Sequence, residues 1–418
     1  MFGWEFPPHV SGGLGVASEG LVRGLLAVGS EVVLVLPHDV ASVPGGPLRI
    51  VDSETSASSR AGTEDGRRLL LRLRRISSPL KPYMTPATYP AETVPPAGRR
   101  RRARPSRGAR TLYGPDLAAE VVRYAGAARS IARRERFDVI HAHDWLTFLA
   151  GIEARRVSGR PLAVHVHATE FDRSGGDGDA FVHGVERLGT TTADRVIAVS
   201  RYTARQVEDG YGVDAGRIRV VHNAIDARVT PAASGGAAGP MVLFAGRVTG
   251  QKGPDRFVEA AALVAREIPE ARFVVAGDGD RLPAMRDHVA RKGLADRFDF
   301  TGFLSTPELE RLYARADVYV MPSVSEPFGL TALEALRHAT PVIVAKDAGV
   351  SEVVQNVLRA DVDDPKDLAS RILSVLLFPP LSRELGRGGR AEVRRLSWAA
   401  AAGECLSVYR EMLEAAPA

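Results

Sequence analysis

Short apolar runs alternate with amphipathic stretches along almost the whole chain. Met1–Trp4 reads as a stub of strand, and a glycine-rich turn, Ser11-Gly12-Gly13-Leu14-Gly15, opens a helix that reaches about Val28. Glu31–Leu36 is a strand stopped by Pro37, and Arg68–Arg74 alternates Leu with Arg, the pattern of an exposed edge strand. A helix runs from Pro115 to about Arg134. Strands then recur at Asp138–Ala142, Leu162–His167, Arg195–Val199 and Ile218–Val221, with helical stretches between them. Such alternation predicts a parallel sheet covered on both faces.

The pattern breaks at Pro231-Ala232-Ala233-Ser234-Gly235-Gly236-Ala237-Ala238-Gly239-Pro240, which is small, polar and rich in breakers, as a linker is. It then restarts. Strands are expected at Met241–Ala245, Arg272–Ala276, Phe298–Thr301, Val318–Met321 and Val342–Ala345, each followed by a helix. Ser305-Thr306-Pro307-Glu308 is a capping box with Pro near the first helical position. Terminal helices run from about Pro365. The predicted organisation is an N-terminal domain over residues 1–229, a linker over 230–240, a C-terminal domain over 241–395 and a last helix over 396–418. Both domains read as doubly wound α/β sheets. Ligands of such sheets bind beyond the carboxyl ends of the strands, so the cleft between the domains is the expected site.

Composition changes little in this picture. The 418 residues suffice for two or three full cores, and no apolar run approaches a membrane span. No basic stretch followed by an apolar core opens the chain, so no signal peptide is visible. The single cysteine, Cys405, excludes an internal disulfide and fits a reducing, cytoplasmic setting. A net charge of +5 invites a nucleic-acid reading, but seven arginines between Arg99 and Arg110 account for all of it. A nucleic-acid binder would spread its basic residues over a folded face. The stretch Pro79–Arg110 lacks periodicity and is expected to be a long mobile loop.

The candidate chemistry centres on Glu326-Pro327-Phe328-Gly329-Leu330-Thr331-Ala332-Leu333-Glu334, which leads from a strand into a helix. Eight helical steps would separate the carboxylates by roughly 12 Å, and the Pro-Gly turn shortens this. A helix N-terminus lies between them and suits an anion. That is the shape of a nucleotide sugar: a diphosphate flanked by a ribose and a sugar ring, each with hydroxyls a carboxylate can accept from. Arg247 and Lys252 flank the loop after the first strand of the second half, where fixed cations can neutralise a diphosphate leaving group without a metal. Gly302-Phe303-Leu304 offers backbone and an apolar surface to a flat base. Gly12, Gly13 and Gly15 let backbone approach a phosphate, although Gly13-x-Gly15 with Asp39 also suits a nicotinamide enzyme. His167 ends a strand and is expected to reach the cleft, with His165 packed inside. His141-Ala142-His143-Asp144-Trp145 ends the preceding strand; it fits either a cleft wall that holds an acceptor or a structural role. Its His-x-His-Asp has no fourth ligand nearby, so no metal is expected.

Together these motifs resemble those of family 4 retaining glycosyltransferases with the GT-B fold, near the glycogen-synthase-like members that open with G-W-E-F-P-P. Glu326 to Glu334 is similar to their E-x7-E, and Arg247 with Lys252 to their R-x4-K; Gly12-Gly13, His167 and His222-Asn223-Ala224-Ile225-Asp226 follow in the family's order. The resemblance implies two Rossmann-like domains facing each other across a cleft, with a C-terminal helix crossing back to the N-terminal domain. It implies a hexosyltransferase, with glucose favoured, using a nucleotide diphosphate sugar and no cofactor or metal. Catalysis would rest on His167, Glu326, Arg247 and Lys252. Donor contacts would come from Gly12, Gly13, Ser200, Asn223, Gly302, Phe303, Leu304, Phe328, Gly329, Leu330, Thr331 and Glu334. Glu5, His143, Asp144 and Trp145 would face a glycan or other hydroxyl acceptor. Partners beyond donor and acceptor are not implied: no nucleic acid, with peripheral membrane contact left open.

Bacterial glycogen and starch synthases begin with K-x-G-G-L, and Val10 stands at the lysine position here, which weakens the case for ADP-glucose and for a glucan acceptor. The alternatives are a sugar-nucleotide epimerase or phosphorylase on a similar fold and, in another class, a non-catalytic glycan- or nucleic-acid-binding protein. One further expectation concerns the first strand. Only Met1–Trp4 precede Glu5-Phe6-Pro7-Pro8, two or three residues short of a usual central strand, which is about five or six long. The expectation is that translation begins upstream of this Met.

Overall fold

The computed structural model describes residues 1–6, 12–37, 71–75, 115–176, 178–226 and 239–415. The arginine-rich stretch, Val10, Asp39 and most of the linker lie outside them. The first domain runs α1 (Gly13–Ala27), β1 (Val32–Leu36), β2 (Leu71–Arg75), α2 (Pro115–Arg134), β3 (Ile140–His143), α3 (Trp145–Ser158), β4 (Leu162–Val166), α4 (Glu170–Ser174), α5 (Ala180–Thr192), β5 (Arg195–Ala198), α6 (Arg201–Tyr211) and β6 (Ile218–Val220). Strands β3-β4-β5-β6 form one parallel sheet and β1-β2 another. The N-terminal stub joins them: Phe2 bridges Val35 on one side and Ala142 on the other, both in the parallel sense. The stub is thus central, and its pairing is confined to one residue on each side.

The second domain runs β7 (Met241–Ala245), α7 (Pro254–Glu267), β8 (Arg272–Ala276), α8 (Leu282–Arg291), β9 (Phe298–Gly302), α9 (Thr306–Arg315), β10 (Val318–Met321), α10 (Leu330–Arg337), β11 (Val342–Ala345), β12 (Leu358–Ala360) and α11 (Pro365–Leu377). Its six parallel strands are ordered β12-β11-β10-β7-β8-β9, so the order reverses at β7 and β10. The loops leaving those two strands carry Lys252 and Glu326. Buried Val, Ile and Phe fill both sides of this sheet, in two clusters. The capping box at Ser305 and Glu308 forms as expected. Strand β12 escapes the sequence reading because Leu-Arg-Ala holds a single buried residue and no apolar run.

The last helices are α12 (Pro379–Val393) and α13 (Trp398–Ala415). Helix α13 crosses back to the first domain: Ala401, Ala402, Cys405, Val408 and Met412 pack with Leu21, Val22, Leu25 and Leu26 of α1. Close approach requires Gly24, where a Cβ would lie 2.2 Å from the Trp398 carbonyl oxygen. Three contacts then clasp the domains. Ser200 Oγ donates to the Pro327 carbonyl at 2.6 Å. Glu352 accepts from the main-chain N–H groups of Arg201 and Tyr202 at 2.9 and 3.1 Å and pairs with His222 at 2.9 Å. Ser325 donates to Asp172 at 2.5 Å and lies 2.8 Å from the Tyr202 hydroxyl.

Candidate active site

Strand β10 ends at Met321, and a turn carries the chain into α10. Gly329 makes that turn at φ +106°, where a Cβ would lie 2.8 Å from Met321 Cε. Any other residue would be strained there and crowded. Among the described residues no side chain caps α10, which leaves its first N–H groups to an anion. Helix α1 of the other domain begins at Gly13, also without a capping side chain among the described residues. A Cβ on Gly13 would lie 3.6 Å from Leu330 Cδ1, whereas one on Gly12 would meet open space. Two uncapped helix N-termini therefore converge from opposite domains, and their partial positive charges favour an anion between them.

The two loops at the strand-order reversal meet beside this point. Glu326 is 6% exposed; its carboxylate accepts from Lys252 Nζ at 2.7 Å and from Ser323 Oγ at 2.9 Å. Lys252 closes a single 3-10 turn, and Gly253 follows at φ +67°, where a Cβ would lie 2.0 Å from the Pro322 carbonyl oxygen. Arg247 lies on the same loop and is partly exposed. A cation, a buried carboxylate and two helix termini can hold a diphosphate and balance charge that develops as it leaves.

Glu334 sits about one turn into α10 and is partly buried. Burial pushes its carboxyl up to about 7, against the opposing hydrogen bond that Tyr313 donates at 3.0 Å. Thr331 Oγ1 accepts from the Tyr319 hydroxyl at 2.8 Å, and Phe328 is buried. At the end of β9, Gly302 adopts φ +72° and Phe303 is 74% exposed, an unusual display for a large apolar ring. Leu304 packs partly against the core beside it.

His167 follows β4 and is partly exposed. Burial of its ring pushes the imidazole pKa down to about 3, so the ring is neutral. The main-chain N–H groups of His167 and Ala168 donate to Asp144 Oδ1 at 2.7 and 3.4 Å. Asp144 itself adopts φ +55°, a strained value for a non-glycine residue, and this strain sits under the loop that carries His167. Burial lifts the Asp144 carboxyl to about 6, opposed by the Arg173 guanidinium and by the two N–H groups. Arg173 also donates to the Ala168 carbonyl at 2.7 Å and to Glu186 at 2.8 Å.

The residues expected on the acceptor side, Glu5, His143, Asp144 and Trp145, are all 2% exposed or less. Of these, His143 and Asp144 contact His167 directly. Ser200 is fully buried in the interdomain clasp, and Asn223 is 6% exposed in the segment that leaves β6. The sequence assigns no role to Ser323, Tyr313 or the Asp172–Tyr202–Ser325 cluster. Ser323 meets Glu326 within the same turn, whereas Tyr313 and the cluster are brought in by tertiary packing. The sequence also leaves unassigned an array whose signal was present: His-x-His occurs at the ends of both β3 and β4, and register sets His143 beside His165. The rings stack, His141 on His143 at 4.4 Å and His165 on His167 at 4.4 Å. Among the described residues, nitrogens of His141, His143 and His165 come within 4.8 Å of one another, as metal ligands can. His141, however, already spends both ring nitrogens on protein partners, Nε2 on His165 and Nδ1 on Tyr409.

Among the described residues no helix is long and apolar enough to cross a membrane. Residues 11–229 match the family model described as Glycosyltransferase Family 4, and residues 236–392 match Glycosyl transferases group 1. An uncharacterized glycosyltransferase of Methanocaldococcus jannaschii is 28% identical over 99% of this chain and 98% of its own length. A glycogen synthase of Mycobacterium tuberculosis is 30% identical over 98% of this chain and 93% of its own. Sucrose-phosphate synthase from Thermosynechococcus elongatus superposes with a TM-score of 0.70 at 23% identity, covering 99% of this chain and 96% of that one. With two doubly wound domains facing each other across the site, this chain belongs to the family 4 glycosyltransferases, GT-B enzymes that move a sugar from a nucleotide-sugar donor.

Proposed function

We propose that this enzyme transfers a hexose, with glucose favoured, from a nucleotide diphosphate sugar to a hydroxyl of a glycan, with retention at the anomeric carbon and without a metal. α-Glucan synthesis of the glycogen type is the acceptor chemistry the reading favours, in line with the name of its M. tuberculosis relative. The observation that carries the proposal is the meeting of α1 and α10 N-termini beside Lys252 and Glu326. A diphosphate fits between the termini, with Arg247 and Lys252 stabilising it as it leaves. Glu326 faces the sugar side and Glu334 the ribose side. Gly302, Phe303 and Leu304 offer the base a partly apolar seat. Retention follows from attack on the face the diphosphate leaves, with a phosphate oxygen taking the acceptor's proton; no carboxylate nucleophile is assigned. The test is nucleotide release from a panel of sugar nucleotides, with and without α-glucan. Glucan-dependent release from a glucosyl donor is expected. Release from no donor, or release that only a non-glycan acceptor stimulates, overturns the proposal.

A further inference from the structure

Four imidazoles stand on one face of the first sheet, and their hydrogen bonds form two separate pairs. His143 Nδ1 lies 2.9 Å from His167 Nε2, and His165 Nδ1 lies 3.2 Å from His141 Nε2. His141 Nδ1 continues to the Tyr409 hydroxyl of α13. The remaining nitrogens of two rings, His143 Nε2 and His165 Nε2, are buried and have no partner among the described residues. Both rings are at most 2% exposed. His167 Nδ1 differs: it has no partner among the described residues, and it belongs to a partly exposed residue at the carboxyl end of β4, the end at which such sheets bind ligands.

All four rings are neutral, because burial drives each imidazole well below its usual pKa. Each therefore carries one ring proton, and each pair has only two arrangements. In one, His143 Nδ1–H donates to His167 Nε2; His143 Nε2 is then a bare lone pair, and the His167 proton sits on Nδ1. In the other, His167 Nε2–H donates to His143 Nδ1, and His143 Nε2–H is left as a buried donor with nothing to receive it. Orphaned buried N–H groups are the rarer and costlier defect. The same choice recurs independently at His165, whose Nε2 is also buried and unpartnered. There it makes His165 Nδ1–H the donor to His141 and His141 Nδ1–H the donor to Tyr409.

We infer that His143 is a positioning residue that fixes His167 in its Nδ1–H tautomer, so that the cleft wall presents a neutral N–H donor to the substrate. Nδ1–H is the minor tautomer of a free imidazole in water, so the site must impose it. Its consequence is a division of labour. At the cleft, His167 recognises an oxygen lone pair, of a sugar hydroxyl or the ring oxygen, and has no basic nitrogen there to take a proton. Deprotonation of the acceptor then falls to another group. This assignment of a substrate oxygen rests on the proposed function; the tautomer itself does not.

The test therefore begins with a readout that needs no substrate. In protein labelled with 15N-histidine, long-range proton–nitrogen correlation separates protonated from bare ring nitrogens, and a His167→Asn sample identifies the His167 signals. We expect a protonated Nδ1 and a bare Nε2 at His167, and the same at His143. A protonated Nε2 at His167 overturns the inference whatever the activity. Two variants then link tautomer to catalysis. In His143→Asn the amide nitrogen can replace Nδ1 as donor, and His167 should keep its Nδ1–H signature. In His143→Leu no donor remains, and His167 should revert to Nε2–H, with kcat/KM falling by about tenfold or more, as loss of a well-placed hydrogen bond does. If His143→Leu is poorly folded, the wild-type and Asn spectra still decide the tautomer. Should the tautomer hold while no sugar nucleotide is turned over, the proposed function fails and the inference stands.

Discussion

Replacing Glu334 by Gln should make the protein more stable and worse at binding its donor, each in a pH-dependent way. The Glu334 carboxyl has a folded-state pKa of about 7, against an ordinary 4.5, chiefly because it is buried. A raised folded-state pKa means that the folded protein holds this proton more tightly than the unfolded chain does. The stability it contributes is complete below about 4.5 and is lost as pH rises through about 7. At about 1.36 kcal/mol per pKa unit, ionising the group in place costs roughly 3 kcal/mol, and its partial exposure trims that to about 2–3 kcal/mol. The Gln amide oxygen can still accept from Tyr313, which now donates to Oε2 at 3.0 Å, and it carries no charge to desolvate. Urea unfolding at pH 5 and pH 8.5 should therefore show the variant close to wild type at the lower pH and more stable by about 2–3 kcal/mol at the higher. Donor affinity moves the other way. An ionised carboxylate accepts from both ribose hydroxyls, so wild-type affinity should strengthen as pH rises through about 7. The variant should bind about tenfold more weakly at high pH, with no such slope. An offset in stability that is the same at both pH values refutes the burial argument, and an unchanged affinity slope refutes the ribose assignment.

Three further outcomes are expected. Lys252→Met removes the cation 2.7 Å from Glu326 and should lower kcat/KM by about 2–4 kcal/mol of transition-state stabilisation; a loss below threefold would take Lys252 out of the phosphate site. Gly24→Ala sets a methyl 2.2 Å from the Trp398 carbonyl oxygen and should cost about 1–3 kcal/mol by pushing α13 off α1, read as a lower melting temperature; unaltered melting would show that α13 is not held there. Ser325→Ala breaks the hydrogen bond to Asp172 and should cost about 1 kcal/mol and loosen the domains, seen as a larger radius of gyration in small-angle scattering; neither change would mean that Ser325 is no clasp.

What the sequence makes legible is what local chemistry determines. Four strands of the second domain, Met241–Ala245, Arg272–Ala276, Val318–Met321 and Val342–Ala345, form at the bounds their apolar runs indicate. Glycine at 329 and the apolar repeat after it predict α10, and two doubly wound sheets follow from the alternation. The Glu326–Lys252 contact is another matter. Both residues stand out as motifs, but their 2.7 Å separation comes from β7 and β10 being neighbours, an order that no local pattern encodes. Burial is equally hidden. His143, Asp144 and Trp145 end a strand, where either a cleft wall or a structural role fits, and all three are buried, with α3 starting at Trp145. Ser200 looks like a cleft hydroxyl and becomes a clasp because the second domain brings Pro327 to it. The imidazole array needs parallel register between β3 and β4 before two His-x-His patterns become one stack.

The most direct measurement of the central claim is the anomeric configuration of the first product formed in excess chelator. Wild-type enzyme would be supplied with an α-linked glucosyl nucleotide and an α-glucan primer, and the new linkage read by proton NMR before any equilibration. If α1, α10, Arg247, Lys252 and Glu326 hold and release the diphosphate as argued, transfer proceeds undiminished in chelator and the new linkage is α. Transfer abolished by chelator, or a β-linked product, would contradict the account.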